Sequence, residues 1–317
     1  MQKIENNKYT DNFDEEIDLK KLFFVLVQGR WIITSASAFF LVVGIIYSLS
    51  LPNIFESKAL LAPVQESSSL ISRSSSQYNR LTSLAGITLP EEDNSSNSKK
   101  AIELMSSLSF FENHIMPNIF LPNLMAAESW DKEKNIIIYD ESVFQKNLNI
   151  WVKDNLDSKQ STPSAQKSFR VFKDAHFSMY KDNKNGYIVL SIKHLSPVIA
   201  KQWVQIIFRE VNSFYKQKDK EKSEKAVIFL NKQMAQSNLS EIKKVTASLL
   251  EKEIQRLTLV EANKDYVFEY IYPPSVMEEK AEPRRSVITI LFFLFGFLLG
   301  LIIALIRYYL SEEKSSI

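Results

Sequence analysis

Two apolar runs near the ends of this chain constrain everything between them. "VITILFFLFGFLLGLIIALI", Val287 to Ile306, carries no charged side chain and no polar face. A helix of that length is about 30 Å long, the thickness of a bilayer's hydrocarbon core. A helix apolar on every side has no face for water, so a membrane crossing is expected. "WIITSASAFFLVVGIIYSLSL", Trp31 to Leu51, is equally free of charge. Its Ser35-Ala36-Ser37-Ala38 resembles a signal-peptide cleavage site. Phe39 to Ile46 carry the apolar run past that site, however, and Arg30 interrupts the segment where an h-region should lie. The stretch therefore reads as a retained anchor.

Two crossings put both termini on one side. Lys20, Lys21 and Arg30 before the first crossing, and Arg307 and Lys314 after the second, argue for cytoplasmic ends. Arg284 and Arg285 precede the second crossing on the exported side and are expected at the outer headgroups. They weigh less, because long translocated domains largely escape the charge rule. The expected division is a cytoplasmic segment 1–30, a span 31–51, an exported domain 52–285, a span 286–306 and a short cytoplasmic tail 307–317. Leu19, Leu22, Phe23 and Leu26 recur at helical spacing behind Asp18, which predicts a short interfacial helix leading into the first span.

The exported segment mixes strand and helix signals. "IFESKALLAPV" (54–64) and "YVFEYIY" (266–272) read as strands, one leaving the first span and one leading to the second, so the two are expected close together. The Ser-rich stretch from Gln65 reads as a loop. Lys99–His114 and Asp140–Trp151 have partial helical periodicity, interrupted by Pro117 and Pro122. "FRVFKDAHFSMY" and "YIVLSIKH" read as a β-hairpin closed by "KDNKNG", with Asn185-Gly186 suited to positive φ. From Val198 to Tyr272 there is neither Gly nor Pro. Ala200, Trp203, Val204, Ile207, Phe208 and Val211 recur at 3–4 spacing, and a stripe resumes through Leu249 and Ile254. Long helices are expected over about 197–264, opened by Ser196-Pro197. A single helix of that length would reach about 100 Å. It either folds back, with "SNLSE" as a turn and Asn238 to Glu241 as a capping box, or forms one leg of a larger excursion. Trp203, Ile207, Val211, Leu249 and Ile254 are the expected helix and oligomer contacts. Pro273, Pro274, Pro283, Arg284 and Arg285 form the membrane-proximal connector.

Chemistry has little to work with here. Lys+Arg 39 against Asp+Glu 37 gives a net charge of +2, so no excess charge argues for nucleic acid. With no cysteine, thiol nucleophiles and Cys-ligated metals are excluded. His114, His176 and His194 lie far apart in sequence, and none has a ligand partner at i+4, so neither metal nor cofactor is expected. No phosphate-loop, nucleophile-elbow or zincin motif occurs. On the spans, Gly296, Gly300 and Ala304 fall four apart, and Gly44 and Ser48 form a similar pair, a pattern that lets helix backbones approach in lipid.

Taken in order, "IDLKKLFFVL", the first span, "FESKALLAP", "SPVIAKQWVQIIFREVN", "AVIFLNKQM", "LLEKEIQRLTL", "YVFEYIYPP" and "EPRRSVI" resemble the bacterial polysaccharide chain-length determinants, the Wzz-type co-polymerases. The resemblance implies an α/β membrane protein, with two transmembrane helices flanking a periplasmic α/β base and a long helical projection. It implies a homo-oligomeric ring in the bacterial inner membrane. Such rings set the length of O-antigen or a related polymer by acting on the polymerase, with the lipid-linked polymer as a second candidate partner, and without bond chemistry. The alternative is a two-span periplasmic sensor or tethering module. A tail of about a dozen residues after the second span is too short to fold as an output domain, which counts against that alternative.

Overall fold

The strand that follows the first apolar helix and the strand that precedes the second lie side by side in one antiparallel sheet. The computed structural model describes residues 27, 29–64, 94–152 and 162–315. Chain contacts divide it into two units, Asn53–Ala281 and the pair of segments Met1–Pro52 and Glu282–Ile317. The expected interfacial helix and the Ser-rich loop fall outside the described residues.

The terminal unit is a pair of helices, α1 (Arg30–Ser50) and α8 (Arg285–Ser315), packed on one another. Both are long and apolar enough to cross a membrane, α8 over Arg285–Tyr308. Each begins one residue before the expected span. Helix α8 also continues through most of the expected tail, where no Gly or Pro stops it, and extending an existing helix costs little.

In the central unit, β1 (Phe55–Pro63), β6 (Phe177–Lys181), β7 (Ile188–His194) and β8 (Phe268–Tyr272) form a sheet of order β6-β7-β1-β8. Every pairing is antiparallel: Phe55 faces His194, Leu61 faces Ile188, and Pro63 faces Phe268. The β6–β7 turn places Gly186 at φ +74, where only a residue without Cβ is unstrained. Helix α6 (Pro197–Gln236) packs against β1 and β7. Ala200, Trp203, Val204, Ile207 and Val211 join Leu61, Leu190 and Ile192 in the core. Phe110, Phe111, Ile115 and Phe172 complete that core from the flanking turns.

Helix α7 (Ser240–Ala262) folds back along α6, so the two make a helical hairpin broken at Ser237–Leu239. The fold-back is legible in its cross-links. Lys216 Nζ donates to the carbonyl of Asn263 at 2.9 Å, and Lys220 pairs with Glu261. The expected capping box does not form. Leu239 occupies the N-cap of α7 with no side-chain bond, and the helix starts one residue later than Asn238 would set it.

Two other segments differ from expectation. "FRVFKDAH" is not a strand: α5 (Ala165–Val171) starts behind Ser164, whose Oγ accepts from Lys167 N at 3.3 Å, and runs on as a wider turn, Phe172–His176. This winding turns Phe169 and Phe172 together toward Phe111, with ring centroids 5.6 and 5.0 Å away. A short apolar run cannot be assigned by periodicity alone, and the cap decided it. Asp140–Trp151 is not helical either. The Asp140 carboxylate accepts from Ser142 N at 2.8 Å, and this local bond competes with a helix start. Strands β4 (Phe144–Gln145) and β5 (Ile150–Trp151) then pair across a turn with Asn149 at φ 53. A further hairpin, β2 (Ala127–Asp131) with β3 (Ile136–Tyr139), was not expected; it turns at Asn135, φ 52, with Asp131 capping Glu133 and Lys134.

Candidate functional site

The features that hold the helical hairpin and the span pair in place are the candidate site. On α6 the apolar stripe contains one amide, Asn212, only 5% exposed. A buried amide is costly unless hydrogen-bonded, and this one makes four hydrogen bonds to the main chain. Its Oδ1 accepts from the backbone N–H of Tyr266, Val267 and Phe268 at 3.1, 2.7 and 3.0 Å. Its Nδ2 donates to the Phe268 carbonyl at 3.0 Å. The segment entering β8 is thereby fastened to α6 through its main chain. Two turns further along, the Asp219 carboxylate accepts from the Tyr266 hydroxyl at 2.7 Å, and the Arg256 guanidinium of α7 approaches to 3.7 Å. Phe208 of α6 stacks on Tyr270 of β8, ring centroids 3.7 Å apart. Burial raises the Tyr270 hydroxyl above its ordinary value, with Asp265 adding to the effect.

The start of α6 is held by a histidine corner. His194 Nε2 donates to the Asn123 carbonyl at 3.0 Å, and its Nδ1 accepts from Ser196 N at 2.9 Å, an arrangement only the neutral ring with Nε2–H can make. His176 Nδ1 donates to the Lys193 carbonyl at 2.6 Å. The two rings lie 5.6 Å apart, and the Trp203 indole sits edge-on to both. Burial lowers His194 to about 4, and nearby His176 adds in the same direction against the Asn123 carbonyl. His176 is lowered by burial too. Thus two of three histidines far apart in sequence meet in space. The signal was available in the β6–β7 pairing, since Phe177 opposite Ile192 brings the flanking His176 beside that end of β7. His114 lies elsewhere, stacked on Phe110 and 3.8 Å from Glu210. Among the described residues no group of three or more His, Asp or Glu could hold a metal ion.

The structure brings the expected span residues to one seam. Gly44, Ser48, Gly296, Gly300 and Ala304 are all buried between α1 and α8. A methyl group added at Gly300 would lie 2.8 Å from Ile33 Cα, and one at Gly296 2.7 Å from Phe40 Cβ. At Gly44 it would meet Phe292 Cβ at 2.6 Å, so the helices run antiparallel with their backbones nearly in contact. Ser37 and Ser48 direct their hydroxyls to carbonyls of their own helix, at 2.8 and 3.0 Å, and so act in the seam as small residues.

Of the expected helix and oligomer contacts, Trp203, Ile207 and Val211 are buried in the subunit's own core. They are helix contacts, buried within the subunit against the sheet and the flanking turns. Leu249 is half-buried and Ile254 is 49% exposed. The exposed apolar groups of the hairpin lie further out, at Ile228, Phe229, Leu239 and Ile242. In the connector, Pro273 is exposed and Pro274 buried. Ser57 Oγ donates to the Ser275 carbonyl at 2.8 Å, and Ala281 N donates to the Ile54 carbonyl at 2.8 Å, so the connector runs beside β1. Pro283 is half-buried, Arg284 is exposed, and the Arg284 carbonyl accepts from Val287 and Ile288 as α8 begins.

Residues 15–116 match the family described as "Wzz: Chain length determinant protein". The resemblance read from the sequence is borne out over that stretch, which includes α1 and β1. Among solved structures the chain is similar to a "full-length bacterial polysaccharide co-polymerase", at 13% identity and TM-score 0.41, covering 93% of this chain and 99% of that one. It is also similar to a fragment of WzzB, a polysaccharide co-polymerase from Salmonella Typhimurium, at 13% identity and TM-score 0.30, covering 73% of this chain and 100% of that one. No curated protein matches.

Proposed function

We propose that this chain regulates the length of a bacterial surface polysaccharide, O-antigen or a related polymer. One observation carries the reading: residues 15–116, through the first apolar helix and the first strand of the sheet, match the chain-length-determinant family. In this reading α1 and α8 anchor the protein in the inner membrane with both ends cytoplasmic, and the sheet with its helical hairpin is periplasmic. Several copies assemble, and the assembly acts on a separate polymerase without making or breaking bonds itself. The residues described above suit that role, since what they do is mechanical. Asn212, Asp219 and the histidine corner fasten a long hairpin to a sheet, and the glycine seam joins the spans.

The test is the length profile of lipid-linked polysaccharide in a deletion strain. Polymer should still be made, but a clustered band distribution should spread into an unregulated, mostly short-weighted ladder. The full chain should restore the cluster, and a version ending at Arg285 should not. A sensor would change the amount of polymer and keep its profile, while a synthase would be needed for any polymer at all. An unchanged profile sinks the reading.

A further inference from the structure

The ring that fastens the start of α6 does so only while it is neutral. We propose that His194, backed by His176, is an acid-sensitive latch on the N-terminus of the long helix, closed at neutral pH and released as the surrounding solution acidifies.

The argument rests on which atoms donate. His194 Nδ1 accepts from the N–H of Ser196, the residue that caps α6. A proton on Nδ1 would set two donors 2.9 Å apart. It would also place a positive charge at the positive end of a 40-residue helix dipole. Around the ring only main-chain hydrogen bonds favour that charge, and burial outweighs them. Asn123 already receives the Nε2 proton, Trp203 presents its ring, and Phe55 is the strand partner on β1. The titratable side chain bearing on His194 is His176, a second base that repels when charged. His176 itself meets Lys193 through that residue's carbonyl. Among the described residues no carboxylate pairs with either ring; His114 has Glu210, and these two have none. The latch joins three pieces of chain at once: the helix α4 (Leu121–Met125) through Asn123, the end of β7, and the first turn of α6.

The direction of the effect follows from the shift. A released His194 takes up its proton near the ordinary value of 6.5, and the latched ring only near about 4. Between those values the open form binds more protons, so the latch is at full strength above 6.5 and weakens as pH falls toward 4. His176, shifted the same way, adds to the loss.

The experiment is hydrogen exchange on the full-length protein in lipid nanodiscs, with rates corrected for the intrinsic effect of pH on exchange. From about pH 7.5 to about pH 5, protection of the amides around Ser196–Ala200 should fall by roughly 30-fold from His194 alone, given its shift to about 4. Amides of α7 should keep theirs. In His194→Gln, which cannot take up the proton, the fall should be absent. No fall in the unaltered protein, an equal fall in α7, or the same fall in a folded His194→Gln would each overturn the proposal. If that variant does not fold, the comparison of α6 with α7 in the unaltered protein decides alone.

Discussion

Asn212 and Phe268 are paired in both directions, the side-chain amide donating to the Phe268 carbonyl and accepting from the Phe268 N–H, each at 3.0 Å. The same oxygen takes the two preceding N–H groups. Asn212→Ala therefore leaves several buried backbone groups without partners. The expected loss is about 3 kcal/mol of stability. Asn212→Leu should cost about as much despite its better apolar fit, because the orphaned groups are the same. Denaturant unfolding of the detergent-solubilised protein, followed by tryptophan fluorescence, measures this. Near-equal stability of wild type and either variant would mean that water replaces the amide.

Gly300 has no room for a side chain against Ile33. Gly300→Leu should disturb span packing by on the order of 1–2 kcal/mol, whereas Leu299→Ile, beside the seam, should not. Thermal stability in lipid reads the packing. In the proposed role the same variant should also shift the polymer length profile. If both variants behave alike, the seam has no part in the mechanism.

Tyr270 keeps its proton because its hydroxyl is buried near Asp265. Its folded value lies above the ordinary 10.0, so its contribution is complete below that value and is lost as pH rises beyond it. Tyr270→Phe preserves the stack on Phe208 and should make the unfolding midpoint less sensitive to alkali. Tyr215, raised by burial, leaves some sensitivity behind. A pH series of thermal melts separates the two tyrosines, and identical alkaline slopes in variant and wild type would count against this assignment.

Assembly, if it uses the hairpin, should depend on its exposed apolar residues. Phe229, 59% exposed, and Ile254, 49% exposed, are the positions to change. Phe229→Glu with Ile254→Glu should weaken oligomers in native mass measurements while circular dichroism stays unchanged. Finding only monomers of the unaltered protein, at every concentration tried, would remove the oligomer from the proposal.

Orientation is open to a direct check. A reporter active only in the periplasm should work when fused within Ser67–Ser76 and fail when fused after Ile317. The opposite result would place the sheet and hairpin in the cytoplasm.

Some of this molecule was written locally, and those parts were legible. A run of about twenty apolar residues is long enough to cross a bilayer, and both such runs wind into helix. A stretch without Gly or Pro, with an apolar residue every third or fourth place, winds into helix on its own account, and Ser196-Pro197 marks its start. The Gly–Ala spacing on the spans likewise pointed to a seam before any partner was known. What remained hidden depended on contacts distant in sequence. Nothing near Asn212 says that its amide will meet Tyr266–Phe268, since Val267 lies 55 positions further on, across a helical hairpin. The stripe through Trp203 and Val211 was expected to make helix and oligomer contacts, and only the assembled core showed it buried within the subunit. "FRVFKDAH" reads as strand from its own residues. A serine cap and the packing of Phe172 on Phe111 chose the helix. Periodicity and composition act over a few neighbouring residues, so the chain alone could specify its elements. Which faces they bury, and which polar groups they satisfy, is settled only when distant segments compete for the same surface.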